Sequence, residues 1–356
     1  MFRLPTSLGV AVAIAVATAG KPGAAPAQQA KPAVVATTVA GNAAPFYRMA
    51  IDRMEADPTV AELQLESPID AASTAALRRA RPVLEMLHQA AAMPECDWPE
   101  PYALAETATL GKLRALASVG LFEARVDLAE KRPAKAADDM LAVMALGRHV
   151  GQTPLFISKL VEIGVTEQAI EQLASALPGL PKETVATLGA KLDRLPRGST
   201  FAETILAEHA YARDVNKRGE FAPAVWEDAT IQQVKPWYIA VADAAAQSPE
   251  EFARAVDAAT ANLPEGPTRA FASIVAPAIK PLRVPMAAAE AHEAMLRTAI
   301  DVVVNGPEAV KRSRDPFGTG SFTYRALPGG FELTSKLKAR GGRPVTLQVG
   351  AAAAGA

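Results

Sequence analysis

The strongest constraint in this sequence is an apolar stripe at helical spacing that is repeated after a short break. The first stripe consists of Leu110, Leu113, Ala117, Leu121, Ala124 and Leu128, which lie on one face of a helix. The break at Lys131-Arg132 is followed by Pro133, a residue suited to the first turn of a helix. The second stripe consists of Ala136, Met140, Val143, Met144 and Val150. Two such helices with a short connection predict an antiparallel hairpin, similar in spacing to a tetratricopeptide-type (TPR-like) hairpin.

Helical signals recur along most of the chain. Half of the residues are hydrophobic but only 5% are aromatic, so Ala, Leu and Val supply the apolar content, which favours closely packed helices. Ser248, Pro249 and Glu251 combine an N-cap, a first-turn proline and an acidic first turn at one helix start. Pro82 predicts a kink in a helix over residues 70–92. Further helices are predicted at 154–177, 181–195, 199–218 and 286–304.

The C-terminal part of the chain changes character. Residues 315–335, DPFGTGSFTYRALPGGFELTS, alternate aromatic and polar side chains around a Pro-Gly-Gly turn, which is the pattern of a β-hairpin. A third alternating run follows at Pro344–Val349. Three strands with one apolar face are stable when they lie on a helix, and the last helix, which ends near Val304, is the expected partner. The predicted fold class is therefore mainly α: an irregular helical array with a TPR-like helical hairpin, plus a small C-terminal antiparallel β-sheet of about three strands.

The N-terminal residues have the layout of a secretory signal peptide. Arg3 is followed by an apolar run from Leu8 to Val16 and then by small residues. Ala17-Thr18-Ala19 offers a cleavage site after residue 19, and Ala25-Pro26-Ala27 offers an alternative after residue 27. Export to the periplasm or the medium is therefore predicted. The apolar run is shorter than the roughly 20 residues that span a bilayer, so no transmembrane helix is expected in the mature chain.

Changes in composition divide the rest of the chain. Residues 20–44 are rich in Ala and Pro, which is typical of a flexible linker. The expected divisions after it are a helical domain at 45–218, a linker at 219–235, a second helical part at 236–310, a small β element at 311–350 and a disordered tail at 351–356.

Charge and cysteine content exclude several kinds of partner and of stabilisation. The 37 basic and 38 acidic residues give a net charge of −1, so no strong field attracts a nucleic-acid backbone and no nucleic-acid partner is expected. A basic cluster at Lys311, Arg312 and Arg314, together with loop 336–343, is typical of a solvated face; contact with an acidic partner or lipid headgroups is the alternative. Cys96 is the only cysteine, so no intramolecular disulfide forms.

Three short motifs carry a resemblance to a known group of proteins. They are a Cys-x-Trp box at Cys96–Trp98, an Arg-His pair that ends a helix at Arg148-His149, and an Ile-Ser-x-Leu-Val segment at Ile157–Val161. With these motifs the chain resembles uncharacterised exported α-helical proteins of environmental bacteria. Its C-terminal DPF…YR…GGFEL hairpin, residues 315–333, resembles the C-terminal β region of type II secretion pseudopilins. The resemblance implies a helical fold and an exported protein, and it supplies no catalytic residues.

The pseudopilin resemblance also raises the question of calcium. The corresponding loop of pseudopilins can hold calcium through acidic residues, whereas residues 336–340 of this chain read Lys-Leu-Lys-Ala-Arg. Calcium needs a shell of oxygen ligands, so no calcium site is expected here.

Aromatic and ionisable residues near helix junctions are the candidates for a groove or an interaction surface. The candidates are Trp98, Arg148, His149, Glu208, His209, Trp226, Trp237 and Tyr238. The three aromatic residues Trp226, Trp237 and Tyr238 lie in and just after the expected linker, where lining a ligand groove and packing a domain junction explain them equally well. The four histidines lie on separate helices, so hydrogen-bonded histidines are the default and a metal site between helices is the alternative.

Cys96 with His88 or His149 has the residue types of a nucleophile and its base. No nucleophile-elbow or oxyanion-hole motif accompanies the cysteine, and the segment Cys-Asp-Trp-Pro is better explained as a packed loop. No catalytic, cofactor-binding or metal-binding residue is therefore predicted, and no cofactor is expected.

The function expected from these patterns is that of an exported, non-catalytic helical binding or scaffold protein of the bacterial envelope, with a protein partner. One alternative is a hydrolase-type enzyme with its site in an interhelical groove, which convergent acidic and histidine residues in a deep pocket would support. A second alternative is an accessory of a type II secretion or pseudopilin-like apparatus, for which the C-terminal resemblance is the support.

Removal of the C-terminal sheet tests whether it docks on the last helix. Deleting residues 315–350 is expected to expose an apolar face of that helix and to lower the temperature of thermal unfolding. An unfolding temperature equal to that of the full chain would contradict the docking.

Overall fold

The computed structural model describes residues 41–98, 107–217, 228–339 and 341–350. These residues are mainly helical and end in a small three-stranded antiparallel sheet, which confirms the predicted fold class. Within the described ranges, none of the helices has both the length and the apolar content that crossing a bilayer requires. The expected signal peptide, residues 20–40 of the expected linker, Trp226 and the expected tail at 351–356 lie outside the described residues.

The helices, in chain order, are α1 Ala44–Glu55, α2 Pro58–Ala61, α3 Ala71–Arg79, α4 Arg81–Ala91, α5 Thr107–Ala129, α6 Pro133–Gly151, α7 Phe156–Ala176, α8 Lys182–Asp193, α9 Phe201–Lys217, α10 Asp228–Gln233, α11 Lys235–Asp243, α12 Pro249–Ala261, α13 Pro267–Ile279 and α14 Arg283–Asn305. Short 3-10 turns lie at Leu177–Gly179, Lys280–Leu282 and Pro307–Arg312. The strands are β1 Thr323–Leu327, β2 Gly330–Lys338 and β3 Pro344–Val349.

The described residues form two compact units. The smaller unit contains α9 to α13, residues 201–282, and the larger unit combines residues 42–200 with residues 283–350. The sequence placed a boundary at 219–235, whereas the units divide at residues 200 and 282. The reason is that α14 packs against α7, α8 and the sheet. Such long-range packing leaves no local mark in the sequence.

Residues 42–44, which the sequence assigned to the linker, belong to the packed part of the larger unit. Ala43 is fully buried, and its N–H donates to the carbonyl oxygen of Glu95 at 2.8 Å. The side-chain amide of Asn42 donates to the carbonyl oxygen of Asp97 at 2.8 Å. These bonds fix the start of α1 beside the loop that follows α4.

Helices α5 and α6 form the predicted hairpin and pack against each other. Residues 130–132 connect them, and Lys131 adopts a left-handed conformation with φ of 60°. The N–H of Arg132 donates to the carbonyl oxygen of Asp127 at 2.7 Å, which closes the turn. Pro133 lies in the first turn of α6, as predicted.

Helix α6 is the most enclosed element of the larger unit. It packs against α4, α5 and α7, and most of its residues are buried, including the polar residues Asp139 and His149. Gly147 permits the close approach of α7, because a Cβ atom there would lie 2.6 Å from Thr166 Oγ1. A polar side chain in such a place needs a partner within the protein, and these partnerships determine what the candidate residues can do.

Two local predictions have different outcomes. Ser248 caps α12 as predicted: its hydroxyl accepts from the N–H of Glu251, and the Glu251 carboxylate accepts from the N–H of Ser248. The kink predicted at Pro82 is wrong, because α3 ends at Arg79 and α4 begins at Arg81. Pro82 thus lies in the first turn of a new helix, where its missing N–H costs no helical hydrogen bond.

The smaller unit packs around α11. Trp237 is 2% exposed, and its indole N–H donates to Thr260 Oγ1 on α12 at 3.0 Å. Phe201 on α9 and Phe252 on α12 contact each other with ring centres 5.3 Å apart. These aromatic contacts join α9, α11 and α12 in one core.

The C-terminal sheet has the strand order β1-β2-β3, and both strand pairs are antiparallel. Its apolar face consists of the buried side chains Phe331, Leu333, Leu337, Val345, Leu347 and Val349. Strands β2 and β3 lie against α14, and β3 also lies against α7. After β3, the N–H of Gly350 donates to the carbonyl oxygen of Ala174 on α7 at 3.0 Å.

Asp315 holds the loop that leads into the sheet, and it is 1% exposed. One carboxylate oxygen accepts from the N–H of Phe317 at 3.0 Å and from the hydroxyl of Ser335 at 2.8 Å. The other accepts from the N–H of Lys336 on β2 at 2.6 Å. The Asp-Pro-Phe-Gly segment is therefore a turn that is fastened to the sheet by its aspartate.

Asp315→Ala is expected to lower the free energy of unfolding by roughly 2–4 kcal/mol, because the buried hydroxyl of Ser335 and two partly buried backbone N–H groups lose their acceptor. Denaturant unfolding measures this loss. Asp193→Ala is the control, since it removes a 67% exposed carboxylate paired with Arg297, a contact worth at most about 1 kcal/mol. Equal losses in the two variants would contradict the role of Asp315.

Candidate functional site

The two candidates at the C-terminal end of α6 point in different directions. The guanidinium of Arg148 forms an ion pair with Glu293 on α14. The ring of His149, the next residue, contacts Tyr47 on α1 instead. Neighbouring residues of a helix diverge by about 100° around its axis, so this Arg-His pair does not form a joint site.

His149 is buried and held in one neutral form. Its Nε2–H donates to the carbonyl oxygen of Met93 at 3.0 Å. Nδ1 is therefore the acceptor for the Tyr47 hydroxyl, which lies 2.8 Å away. Burial lowers the pKa of His149 to about 4 although the bond to Met93 opposes this. The imidazole is uncharged at neutral pH, and both ring nitrogens are used to join α6 to other segments.

The Cys-x-Trp box forms a packed loop. Cys96 is 5% exposed, and its N–H donates to Gln152 Oε1 at 2.7 Å. Burial raises the pKa of the Cys96 thiol, which opposes formation of the thiolate that a nucleophile requires. Trp98 is also buried, and its indole N–H has no acceptor among the described residues. Cys96 and His149 do not form a nucleophile and base, because both ring nitrogens of the histidine have other partners.

A buried carboxylate lies beside the same end of α6. Glu162 on α7 is 6% exposed and pairs with Lys159 at 2.7 Å. Two glycines enclose it: a Cβ atom at Gly198 would lie 2.5 Å from Oε1, and one at Gly151 would overlap Oε2. Burial raises the pKa of Glu162, and the charge of Lys159 acts against this. The carboxylate is therefore packed against the backbone at both glycines and paired with Lys159.

The candidates of the smaller unit are part of its core. His209 donates its Nε2–H to a backbone carbonyl oxygen of α10 at 2.7 Å, and its ring lies 5.2 Å from that of Tyr238. Burial lowers the pKa of His209. Burial, with the charge of half-buried Glu208, raises the pKa of Tyr238. The positions of Trp237 and Tyr238 support core packing over a ligand groove, while Trp226 lies outside the described residues.

The densest group of carboxylates joins α5 and α6. Glu123 and Asp127 project from one face of α5, and Asp139 projects from α6. One carboxylate oxygen of each lies within 4.8 Å of the others. Asp127 is fully buried and Asp139 is 1% exposed. Such oxygens are the ligand type of a divalent cation, so these residues are the ones in the described chain that a metal ion would use.

Lys135 lies where a cation would lie in this cluster. Its ammonium nitrogen is 2.6 Å from Asp127 Oδ2 and 3.6 Å from Asp139 Oδ2, and it also pairs with Glu123. Arg132 donates to the other oxygen of Asp127. The chain's own cations thus balance the buried carboxylates, and the geometry favours an ion-pair network over a metal centre.

Asp139 is the member of the cluster with a raised pKa. Burial, with the adjacent Asp127 carboxylate, raises the pKa of Asp139 to about 6, although His88 donates to its Oδ1 from 2.8 Å. Perturbed carboxylates are frequent at functional sites, but buried ion-pair networks perturb them as well. Neither aspartate is among the site residues predicted from the sequence. The available signal was that Asp127 and Asp139 follow Ala124 and Ala136 at the three-residue spacing of the apolar stripes.

A groove with a volume of about 950 Å³ lies beside α7 in the larger unit. It is lined by residues of α5 and α7, by the turn after α7 and by the β1–β2 turn, and its side chains include Leu65, Arg125, Leu128, Lys131, Glu171, Gln172 and Pro178. The amide of Gln172 donates to the carbonyl oxygen of Leu121 at 3.0 Å, and its Oε1 has no donor among the described residues. None of the described sequence candidates lines this groove.

Comparisons of the chain with protein-family models, with curated proteins and with solved structures gave no match. The resemblances seen in the sequence stay predictions.

His292 on α14 joins the helices to the sheet and is 13% exposed. Its Nδ1 lies 3.2 Å from Glu167 Oε1, and its Nε2 lies 3.3 Å from the carbonyl oxygen of Thr346 on β3. The protonated ring can donate to both. Burial lowers the pKa of His292, but the pairing with Glu167, the Thr346 carbonyl oxygen and the charge of Glu171 together outweigh burial, so that the pKa is raised.

His292→Gln is expected to lower the free energy of unfolding more at about pH 5.5 than at about pH 9. The folded pKa of His292 lies above the unfolded value of about 6.5. The stabilisation is therefore complete below that value and is lost as the pH rises through the folded pKa. Denaturant unfolding at both pH values measures the difference.

His209→Gln serves as the control for this pH dependence. Its pKa is lowered by burial, so its contribution is present at high pH and lost as the pH falls. A loss for His292→Gln that is the same at both pH values would contradict the assignment of a charged ring.

Proposed function

We propose that this chain is a non-catalytic binding module of the bacterial envelope, and that the groove beside α7 holds a segment of a protein partner. The groove is the observation that carries the proposal. Its volume of about 950 Å³ lies within the range of roughly 300–1,000 Å³ that is usual for ligand sites. Its lining combines apolar side chains, which give contact area, with charged ones, which orient a bound segment.

Arg125, one of the two basic residues at the groove, is held in place by its surroundings. The guanidinium of Arg125 donates to the carbonyl oxygens of Leu65 and Ser67 and lies 5.7 Å from the centre of the Phe122 ring. A side chain that is fixed before binding loses little conformational entropy when a ligand arrives. Gln172, in the same groove, is held by the bond from its amide to the carbonyl oxygen of Leu121.

The state of the reactive side chains supports a non-catalytic role. His149 and His209 are neutral at pH 7. His149 uses both ring nitrogens within the protein and His209 uses Nε2, and burial raises the pKa of the Cys96 thiol. The group that best fits the hydrolase alternative is Asp139, because its pKa is raised to about 6. Lys135 lies within this carboxylate cluster, and Asp139 does not line the groove.

The assignment to the envelope rests on the sequence. The N-terminal layout of residues 1–19 is that of a signal peptide, and the C-terminal hairpin resembles that of pseudopilins. The secretion-apparatus alternative has this likeness alone in its favour, and a likeness of fold does not establish a function.

Ser175→Trp tests the groove. Ser175 is an exposed residue of α7 that lines it, so an indole there fills space that a partner needs. Ala186→Trp is the matched control, because Ala186 is exposed on α8 and does not line the groove. Wild type and both variants are immobilised and incubated with envelope extract of the native bacterium, and bound proteins are quantified by mass spectrometry.

A partner is expected that binds the wild type and Ala186→Trp equally, and that binds Ser175→Trp about tenfold less. Equal capture by all three proteins would contradict a role of the groove. A small molecule that co-purifies with the wild type and is absent from Ser175→Trp would replace the protein partner in this proposal.

A further inference from the structure

Strand β1 forms an edge of the sheet, and this edge is open. Among the described residues, β1 is hydrogen-bonded to β2 and its outer side has no further backbone partner. The opposite side of the sheet is different. On β3 the carbonyl oxygen of Thr346 accepts a hydrogen bond from Nε2 of His292. Just after β3, the N–H of Gly350 donates to the carbonyl oxygen of Ala174. A free edge presents unpaired N–H and C=O groups to which another strand can be added.

The turn between β1 and β2 defines which groups are free. A two-residue turn, 328–329, joins Leu327 to Gly330. In such a β-turn the carbonyl oxygen of Leu327 accepts from the N–H of Gly330, so Leu327 directs its backbone groups toward β2. Backbone direction alternates along an antiparallel strand, so Tyr324 and Ala326 direct theirs to the outer edge. Ala326 is exposed, which leaves its edge accessible.

The exposed face of the β1–β2 hairpin carries three basic side chains and one acidic one. Arg325 is 63% exposed and pairs with Glu332, which lies opposite it on β2. Lys336 and Lys338 are exposed on the same face of β2, beyond Thr334, where the pairing with β1 ends, and neither has an ion pair with another described residue. An added strand with acidic side chains on this face would meet these charges favourably.

A second copy of the chain is a poor partner for the edge. Arg325 is the middle residue of the five in β1. If two β1 strands paired antiparallel in full overlap, Arg325 would lie opposite the same arginine of the other copy. Like charges directly opposite each other destabilise a strand pair, so the edge disfavours self-association and favours an acidic segment.

We propose that an extended acidic segment of a protein partner adds to β1 as a fourth strand. Gly329, in the turn that ends β1, also lines the groove, so the same segment continues from the edge into the groove, where Arg125 and Lys131 outnumber the carboxylate of Glu171. This inference rests on the proposed function and gives the partner a chemistry. The side chains of the added segment alternate: acidic ones lie on the face of Arg325, and apolar ones lie on the face of Tyr324. The ring of Tyr324 lies 5.2 Å from that of Phe331.

A synthetic peptide and one position on β1 test strand addition. The probe is a fluorescein-labelled octapeptide of alternating glutamate and valine, and a lysine-valine peptide is its charge control. Ala326→Pro removes an outward N–H at an edge position that tolerates proline, and Ala326→Val keeps the N–H with a residue suited to strands. Fluorescence anisotropy measures binding to the full chain, and thermal unfolding verifies that each variant is folded.

The glutamate peptide is expected to bind the wild type and Ala326→Val within about twofold of each other, and Ala326→Pro about tenfold more weakly. The lysine peptide is expected to bind at least about tenfold more weakly than the glutamate peptide. If Ala326→Pro is unfolded, a glutamate peptide N-methylated at alternate residues replaces it, and the same loss is expected because its backbone donors are gone.

Three outcomes overturn the inference. They are unchanged binding to a folded Ala326→Pro variant or of the N-methylated peptide, no binding of the glutamate peptide to the wild type up to about 1 mM, and wild-type dimers in light scattering that Ala326→Pro abolishes. The proposed function is tested separately: partner capture that is lost in Ser175→Trp but unchanged in Ala326→Pro leaves the groove as a binding site and removes the added strand.

Discussion

The burial of α6 is the constraint on which the rest of the larger unit depends. Because α4, α5 and α7 cover it, each polar side chain on α6 needs a partner on a neighbouring segment. Asp139 pairs with His88 on α4, Arg148 with Glu293 on α14, and His149 with residues of α1 and of the loop after α4. The side chains that look most reactive in the sequence are thus the ones that hold the helices together.

Local patterns predicted the elements whose stabilising contacts are local. The α5–α6 hairpin, the cap at Ser248 and the three strands each follow from spacing within a short stretch. The two compact units were beyond such reasoning. Helix α14 belongs to the larger unit because of contacts such as that between Arg148 and Glu293, which are separated by 145 residues, and no pattern in either stretch reports that pairing.

The candidate site was harder to predict than the fold. Histidine, tryptophan and arginine were predicted as site residues because of their chemistry. In the fold, His149, His209 and Trp237 are buried and form hydrogen bonds within the protein. The groove was missed for the opposite reason. Its lining extends from Leu65 to Gly350 in sequence and consists of ordinary residue types, so that only the folded chain brings it together.

The enclosure of Glu162 has a consequence for how this sequence can change in evolution. A Cβ atom at Gly151 or at Gly198 would come too close to the carboxylate that these glycines enclose, so a side chain at either position requires the Glu162 carboxylate to shift from its place beside Lys159 or residue 162 to be shorter. The three positions are therefore coupled. In a homologous sequence we expect them to vary as a set, with alanine or a larger residue at 151 or 198 accompanied by a shorter residue at 162.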